Sequence, residues 1–118
     1  MISKQHRFHG RASLRYVYKN GKVVRGPWFS LRHAGNPRRE TYRAAVVVSK
    51  KISKSAVTRN RIRRRLYEAL REQEAGISGA PDIVITVFNG SALDAPFQKL
   101  GAELAAQLEK AGITARRS

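Results

Sequence analysis

The feature that most constrains this chain is a cluster of arginines at residues 59–65. Five arginines fall within these seven positions, and the apolar residues in and after the cluster follow helical spacing. The apolar stripe comprises Ile62, Leu66, Ala69 and Leu70. The pattern predicts a helix from Ser55 to about Glu74, with Ser53 or Ser55 as its N-cap. Such a helix buries one side in a folded body and presents guanidinium groups on the other.

The outer side of this helix differs from an ordinary solvated face. A solvated face usually mixes acidic and basic residues, which support each other one turn apart. No acidic residue occurs between Glu40 and Glu68. We expect Arg61 and Arg64 to project outward, with Arg59, Arg63 and Arg65 flanking the stripe and reaching water. Because guanidinium groups match phosphate oxygens and remain charged, the cluster predicts binding to a polyanion.

The charge of the whole chain is distributed unevenly. The net charge of the 118 residues is +16. Residues 1–67 contain 19 lysines and arginines and one acidic residue, whereas residues 68–118 contain 5 lysines and arginines and 7 acidic residues. This segregation predicts that one surface meets a polyanion and that the C-terminal part mainly supports it.

Composition excludes several classes of protein. A hydrophobic fraction of 42% is sufficient for a folded domain. The absence of cysteine excludes disulfides, a thiolate nucleophile and a cysteine-based zinc site. No apolar run approaches the roughly 18 residues of a membrane span, and the first residues lack an apolar signal core. We therefore expect a cytoplasmic protein that does not bind membranes.

The titratable residues do not form a convincing catalytic or metal site. The three histidines have no regular ligand spacing. Glu68 and Glu72 lie one turn apart on the predicted helix, but arginines one turn from Glu68 favour ion pairing over a paired-carboxylate metal site. Asp82 and Asp94 are interpreted as turn and cap residues. The chain shows no acid/base pair and no activated nucleophile.

The remaining pattern predicts one domain over residues 1–118, with mobile basic ends at about 1–9 and 113–118. The apolar run 44–48 is typical of a central strand covered on both faces, and Gly21 is expected to stop the first helix in a left-handed conformation. A turn-rich hairpin loop is expected at 33–40. The predicted elements are a helix at Gly10–Asn20, strands at Val23–His33 and Tyr42–Ser49, the basic helix, a strand at Asp82–Phe88, and a helix from about Asp94 to Gly112. The strand at Val23–His33 is expected to be broken near Gly26 and Pro27. After the break, Trp28 is expected on the same face as Ser30 and Arg32. The predicted fold class is α/β (α+β), a single α-β-β-α-β-α sandwich with a small mixed sheet.

Three segments together resemble the signature of the bacterial ribonuclease P protein component. They are Ser49-Lys50-Lys51-Ile52, Ala56-Val57 and Arg59-Asn60-Arg61-Ile62-Arg63-Arg64. Element order and length also agree over about residues 7–110. The resemblance implies a ribonucleoprotein endonuclease whose RNA subunit removes the 5′ leader of precursor tRNA, with one protein per RNA. It also implies Mg²⁺ held mainly by RNA and not by the protein alone, and a left-handed βαβ crossover.

The resemblance assigns two groups of residues. The RNA-binding group is Lys50, Lys51, Lys54, Arg59, Asn60, Arg61, Arg63 and Arg64. The leader cleft, between the first helix and the sheet, is Leu14, Tyr18, Trp28 and Arg32. Leu14 stands where many members carry an aromatic residue, and Arg32 where some carry tyrosine, so Trp28 or the flat guanidinium of Arg32 would supply stacking.

Several alternatives stay open at the level of sequence. Tyr18 and Trp28 could be packing residues, and Asn60 could organise the motif instead of contacting RNA. The rival functions are a ribosomal-type RNA-binding protein without a substrate role and a protein-only nuclease. A DNA-binding helix-turn-helix is disfavoured, because the basic helix lies between two strands.

Overall fold

The computed structural model describes residues 11–35 and 41–114. Its elements are α1 (Arg11–Asn20), β1 (Lys22–Arg25), β2 (Phe29–Gly35), β3 (Arg43–Val48), α2 (Ala56–Gln73), β4 (Pro81–Val87) and α3 (Phe97–Lys110), with 3-10 turns at Glu74–Gly76 and Gly90–Leu93. Within these ranges no helix is both long and apolar enough to span a membrane. The mixed α and β composition and the predicted order of helices are confirmed.

The four strands form one mixed sheet in the order β1-β2-β4-β3. β2 is antiparallel to both β1 and β4, whereas β3 runs parallel to β4. The segment β3-α2-β4 is therefore a βαβ unit, and its left-handed sense stays a prediction from the resemblance. The predicted central position of β3 was wrong, because β4 is central and β3 lies at the edge.

Helix α2 protects the outer edge of β3. The hydroxyl of Tyr67 accepts a hydrogen bond of 3.1 Å from the buried backbone N–H of Val46. An edge strand otherwise presents backbone groups that could pair with another chain. The contact satisfies one backbone group at that edge, and the apolar side chains of β3 are covered on both faces by the two cores.

The predicted broken strand at 23–33 is a complete β-hairpin. Arg25 pairs with Ser30, and the Gly26 N–H donates to the Phe29 carbonyl at 3.1 Å. Pro27 has no N–H to donate to a ladder, so the chain reverses at this point. The reversal places Trp28 in the turn, before β2 begins.

The main core lies between the sheet and the helices α2 and α3. The strand residues in it are Phe29, Leu31, Ala44, Val46, Val48, Ile83, Ile85 and Val87, and the predicted stripe of Ile62, Leu66, Ala69 and Leu70 is fully buried against them. Leu100, Leu104 and Leu108 of α3 complete it. The apolar side predicted for the arginine helix is thereby confirmed.

A smaller core lies on the opposite face of the sheet, beneath α1. Val17 is fully buried there with Ala34, Ala45 and Val84. Adjacent side chains of a strand point to opposite faces, and Ala44 belongs to the main core whereas Ala45 belongs to the smaller one. The molecule thus has three layers: α1, the sheet, and the α2–α3 pair.

Two glycines end helices for different reasons. Gly112 ends α3, as predicted, and has φ +75°, in the left-handed region. Gly21 does not have a positive φ, so its predicted role was wrong. A Cβ at Gly21 would lie 2.4 Å from the Val17 carbonyl oxygen and 2.8 Å from that of His33. Glycine is needed there because the backbone of α1 closely approaches the sheet.

Residues 113 and 114, which were predicted to be mobile, contact the folded body. Ile113 is buried, its carbonyl accepts a 2.9 Å hydrogen bond from the Ser78 N–H, and Thr114 forms a β-bridge with Ile77. Residues 113 and 114 are therefore part of the folded body. The other predicted mobile residues, 1–9 and 115–118, and most of the predicted hairpin loop lie outside the described residues.

Candidate nucleic-acid interface

The turn between β3 and α2 begins the basic surface. Ser55 is the N-cap of α2, and its hydroxyl accepts a hydrogen bond of 3.2 Å from the Thr58 N–H. Ser53 supports the cap by accepting one of 3.2 Å from the Ser55 N–H. Of the two cap residues predicted, Ser55 is confirmed. The exposed Lys50, Lys51 and Lys54 lie in this turn, directly before the helix. We name residues 50–54 the lysine loop.

Some arginines in the first turns of α2 are exposed to solvent, whereas others bind the protein's own backbone. Arg61 and Arg64 are exposed on the side opposite the buried stripe, as predicted. Arg59 bends back, and its Nη1 donates to the carbonyls of Ser53 at 2.9 Å and Lys54 at 3.1 Å. Arg59 therefore holds the lysine loop against the start of the helix.

Asn60 orients a neighbouring arginine. Its Oδ1 accepts a hydrogen bond from Nη2 of Arg63, one turn further along α2. Asn60 is exposed and Arg63 half-buried. This contact supports the interpretation in which Asn60 organises the motif, because it limits the positions that the Arg63 guanidinium can occupy.

Arg65 differs from the sequence-based expectation that its guanidinium reaches water. Its Nη1 donates to the carbonyls of Ala92 and Leu93, both at 2.5 Å, and its Nη2 donates to that of Ala95. These carbonyls belong to the turn before α3. Arg65 is thus a structural arginine that joins α2 to that turn, across a sequence separation that helical periodicity does not reveal.

A cluster of partly exposed side chains lies on the other face of the sheet, beside α1. Tyr18 is 41% exposed, and its hydroxyl is 3.2 Å from Oγ1 of Thr86 on β4. The Arg32 guanidinium carbon lies 4.9 Å from the centroid of the Tyr18 ring. Leu14 packs against the smaller core at the same helix face. Three of the four predicted cleft residues are thereby brought together. We name this cluster the α1 cleft, after the predicted leader cleft.

The floor of the α1 cleft contains residues that sequence reasoning missed. Thr86 pairs with Ser30 on β2 and with Val47 on β3, so these three side chains form a row across the sheet. Phe88, which is 50% exposed, follows β4 directly, two residues after Thr86. The available signal was Thr86 itself, a polar residue within the apolar run 83–87.

Trp28 is not part of the α1 cleft. Its half-buried side chain packs against the main core, and its carbonyl accepts hydrogen bonds from the N–H groups of Phe88 at 3.0 Å and Asn89 at 3.2 Å. The prediction that Trp28 shares a face with Ser30 was wrong. Period-two alternation does not extend through the turn that precedes β2.

Comparison with known proteins identifies the family. The sequence pattern of the family described as Ribonuclease P matches residues 2–112. The chain belongs to the ribonuclease P protein family. It is 35% identical over 113 residues to the ribonuclease P protein component of Pseudanabaena sp. (strain PCC 6903), covering 96% of this chain and 97% of that one. It is 34% identical over 110 residues to that of Chloroflexus aurantiacus (strain J-10-fl), covering 93% and 80%.

Solved structures of the family share this fold. The ribonuclease P protein of Staphylococcus aureus superposes with a TM-score of 0.81 at 27% identity, covering 92% of this chain and 97% of that one. That of Thermotoga maritima superposes with a TM-score of 0.78 at 22% identity, covering 88% and 96%, and this likeness concerns the fold alone. The ribonuclease P protein described here is thus the protein component of the bacterial ribonucleoprotein that processes tRNA 5′ ends, and its partner is the ribonuclease P RNA.

The structure of this ribonuclease P protein contains a buried acid that the sequence interpretation placed in a turn. Asp82 lies within β4, its side chain is 1% exposed, and it accepts hydrogen bonds from Nε of Arg43 at 3.0 Å and from Nη2 at 2.8 Å. Hydrogen bonding to Asp82 raises the pKa of Arg43. The pair compensates a buried carboxylate next to the smaller core.

The described residues offer little for binding a metal ion. Across 11–35 and 41–114, no group of three or more His, Asp or Glu side chains is placed to hold one. Magnesium prefers oxygen ligands and retains several waters.

Proposed function

We propose that this ribonuclease P protein uses two surfaces in concert: the outer side of α2 with the lysine loop for the RNA subunit, and the α1 cleft for the 5′ leader of precursor tRNA. The observation that carries the proposal is the stack of the Arg32 guanidinium on the exposed ring of Tyr18. A cation beside a partly exposed aromatic ring suits unpaired nucleotides.

We name the outer side of α2 together with the lysine loop the α2 surface. The α2 surface suits the phosphates of a structured RNA. Arg61 and Arg64 are exposed, Arg63 is held by Asn60, and Arg59 fixes the lysine loop beside them. Such preorganised guanidinium groups lose less freedom when they bind phosphate. The surface offers charge and shape complementarity without base-edge readout.

The α1 cleft suits a few single-stranded nucleotides. Its polar floor, Ser30 and Thr86, is half-buried, and Tyr18 and Phe88 expose aromatic faces. Stacking on such faces tolerates any base and contributes about 1–3 kcal/mol for each base. The cleft would therefore bind leaders of varied sequence.

The two surfaces lie at the same end of the sheet, where strands β3 and β4 stop. β3 and β4 are parallel and end together, because Val48 pairs with Val87. The lysine loop follows the first strand and Phe88 follows the second, so both leave the sheet at the same end. A leader in the α1 cleft would thus lie close to RNA phosphates bound by the lysine loop.

This arrangement would assist catalysis by positioning the substrate. Holding the leader and the RNA subunit together lowers the entropic cost of bringing the scissile bond to the catalytic RNA. Mg²⁺ would be held mainly by RNA phosphates, one protein would bind one RNA, and the protein would contribute no reacting group.

The test compares precursor tRNA with and without a leader on the reconstituted holoenzyme. We expect Tyr18→Ala to weaken binding of the leader-bearing substrate about tenfold, in line with the loss of one stacking contact, and to leave binding of leaderless tRNA and of the RNA subunit unchanged. Equal effects on both substrates would contradict a leader cleft and favour a purely structural RNA-binding role. Leader removal by the protein freed of RNA would instead indicate a protein-only nuclease.

A further inference from the structure

The outer side of α1 forms a second cationic surface. Arg15, Tyr16 and Lys19 are all exposed, and Tyr16 presents 45% of its surface to solvent. Arg15 and Lys19, one turn apart, lie opposite the buried Val17, and Tyr16 lies beside them on the flank of the helix. We name these three residues the outer α1 surface.

The outer α1 surface lacks the composition of an ordinary solvated helix face. Such faces carry acidic residues one turn from basic ones. No acidic residue occurs before Glu40 in the sequence, so neither Arg15 nor Lys19 has a helical acidic partner. An exposed tyrosine between two cations adds a flat ring and a hydroxyl, both of which contact nucleic acid backbones and bases.

The outer α1 surface and the outer side of α2 point in opposite directions. Helix α1 covers the face of the sheet that contains Ala45, and α2 covers the face that contains Ala44. The described body is 24 Å across along its shortest axis. One rigid RNA helix lying on α2 would therefore not reach the outer α1 surface.

We propose that the outer α1 surface binds the phosphate backbone of a second RNA segment, so that one protein molecule bridges two RNA helices. The inference rests on the proposed binding of RNA by α2, and it goes beyond the leader cleft, which lies between α1 and the sheet. Double-stranded RNA is the partner that fits, because two cations and a tyrosine on a convex helix offer phosphate contacts without a groove for splayed bases.

The test uses two identical short RNA duplexes, one labelled with a fluorescence donor and one with an acceptor. Duplexes are chosen because the α1 cleft suits unpaired nucleotides. The full-length protein, purified free of RNA, is added at dilute concentration and near-physiological salt. We expect energy transfer with the wild type. We expect Arg15→Gln with Lys19→Gln to abolish transfer, while binding of a single duplex changes less than about threefold because α2 is intact.

The matched control removes the same charge elsewhere. Lys99→Gln with Lys110→Gln alters two exposed lysines of α3, and we expect transfer to persist. Circular dichroism and thermal melting verify that both double variants fold. Loss of transfer in the control to the same extent would show a bulk charge effect and overturn the inference, as would absence of transfer with the wild type.

Failure of this inference is distinguishable from failure of the proposed function. The double variant Arg61→Gln with Arg64→Gln removes two exposed cations from the outer side of α2. We expect this variant to bind a single duplex much more weakly than the wild type does. If that variant binds a single duplex as tightly as the wild type, the α2 assignment fails. If it binds weakly and the wild type still shows no transfer, only the bridging role of the outer α1 surface is refuted.

Discussion

The Arg32 guanidinium carbon lies 4.9 Å from the centroid of the Tyr18 ring, joining strand β2 to helix α1 across the mouth of the α1 cleft. The Tyr18 hydroxyl extends the contact to Thr86 at 3.2 Å. The pair combines a flat cation with an aromatic face. An arginine at this position can therefore form part of a stacking platform together with Tyr18.

The Tyr18–Arg32 pair makes a first prediction about the leader. Arg32→Ala should weaken binding of leader-bearing precursor tRNA about tenfold, because a stacking cation and a phosphate contact are both lost. Tyr18→Phe keeps the ring and removes only the contact with Thr86, so it should change binding less than about threefold. Equilibrium binding to the holoenzyme measures both. A larger loss for Tyr18→Phe than for Arg32→Ala would contradict the stacking interpretation.

The α2 surface predicts a steep dependence on salt. If about six phosphates are neutralised, affinity for the RNA subunit should fall roughly a thousandfold between 50 and 200 mM monovalent salt. Arg61→Gln with Arg64→Gln should reduce the slope of log affinity against log salt by about 2. Titration of labelled RNA at several salt concentrations gives the slope. A nearly flat response of the wild type would refute the electrostatic account.

Adjacent arginines of α2 should have separable roles. Arg65→Ala should lower the free energy of unfolding by about 2–3 kcal/mol, because it leaves three carbonyls at the turn before α3 without their charged donor. Arg64→Ala should change the stability by less than about 0.5 kcal/mol, because Arg64 is exposed. Urea denaturation without RNA provides the comparison. Similar losses for the two variants would argue against a structural role specific to Arg65.

The buried ion pair predicts that removing Asp82 alone lowers the stability strongly and that replacing both partners by apolar residues lowers it less. Asp82→Ala should cost about 3–5 kcal/mol, because it leaves the Arg43 guanidinium without its bidentate partner next to the core. Arg43→Met with Asp82→Leu should cost less than Asp82→Ala, since neither charge remains. Thermal and urea unfolding of both variants test this order. The reverse order would show that the pair itself is strongly stabilising.

His33 predicts a loss of stability in mild acid. Burial, with a smaller effect from the positive charge of Lys22, lowers the pKa of His33 below its ordinary value. The unfolded chain therefore binds a proton more readily than the folded one, and this contribution to stability is present above pH 6.5 and decreases as pH falls through the folded pKa. His33→Gln should flatten the stability profile between about pH 7 and 5. If the dependence of stability on pH were the same in His33→Gln as in the wild type, His33 would not be the group responsible for it.

Local patterns in the sequence determined the arginine helix almost completely. Its cap at Ser55, its buried stripe from Ile62 to Leu70 and its exposed Arg61 and Arg64 follow from interactions within one or two helical turns. The motif around Asn60 was specific enough to indicate the family. Alternation also predicted that Ser30 and Arg32 share one face of β2, and the structure buries Phe29 and Leu31 on the other face.

Only the tertiary structure decided which distant residues meet. Neither periodicity nor charge could show that Arg65 binds carbonyls some thirty residues away, that Trp28 joins the main core, or that Tyr18 reaches Thr86. Strand order was likewise not encoded locally, because an apolar run such as 44–48 fits a central strand or an edge strand covered by a helix. The physical reason is range: caps, stripes and turns depend on neighbours in sequence, whereas pairing and packing depend on how the whole chain closes.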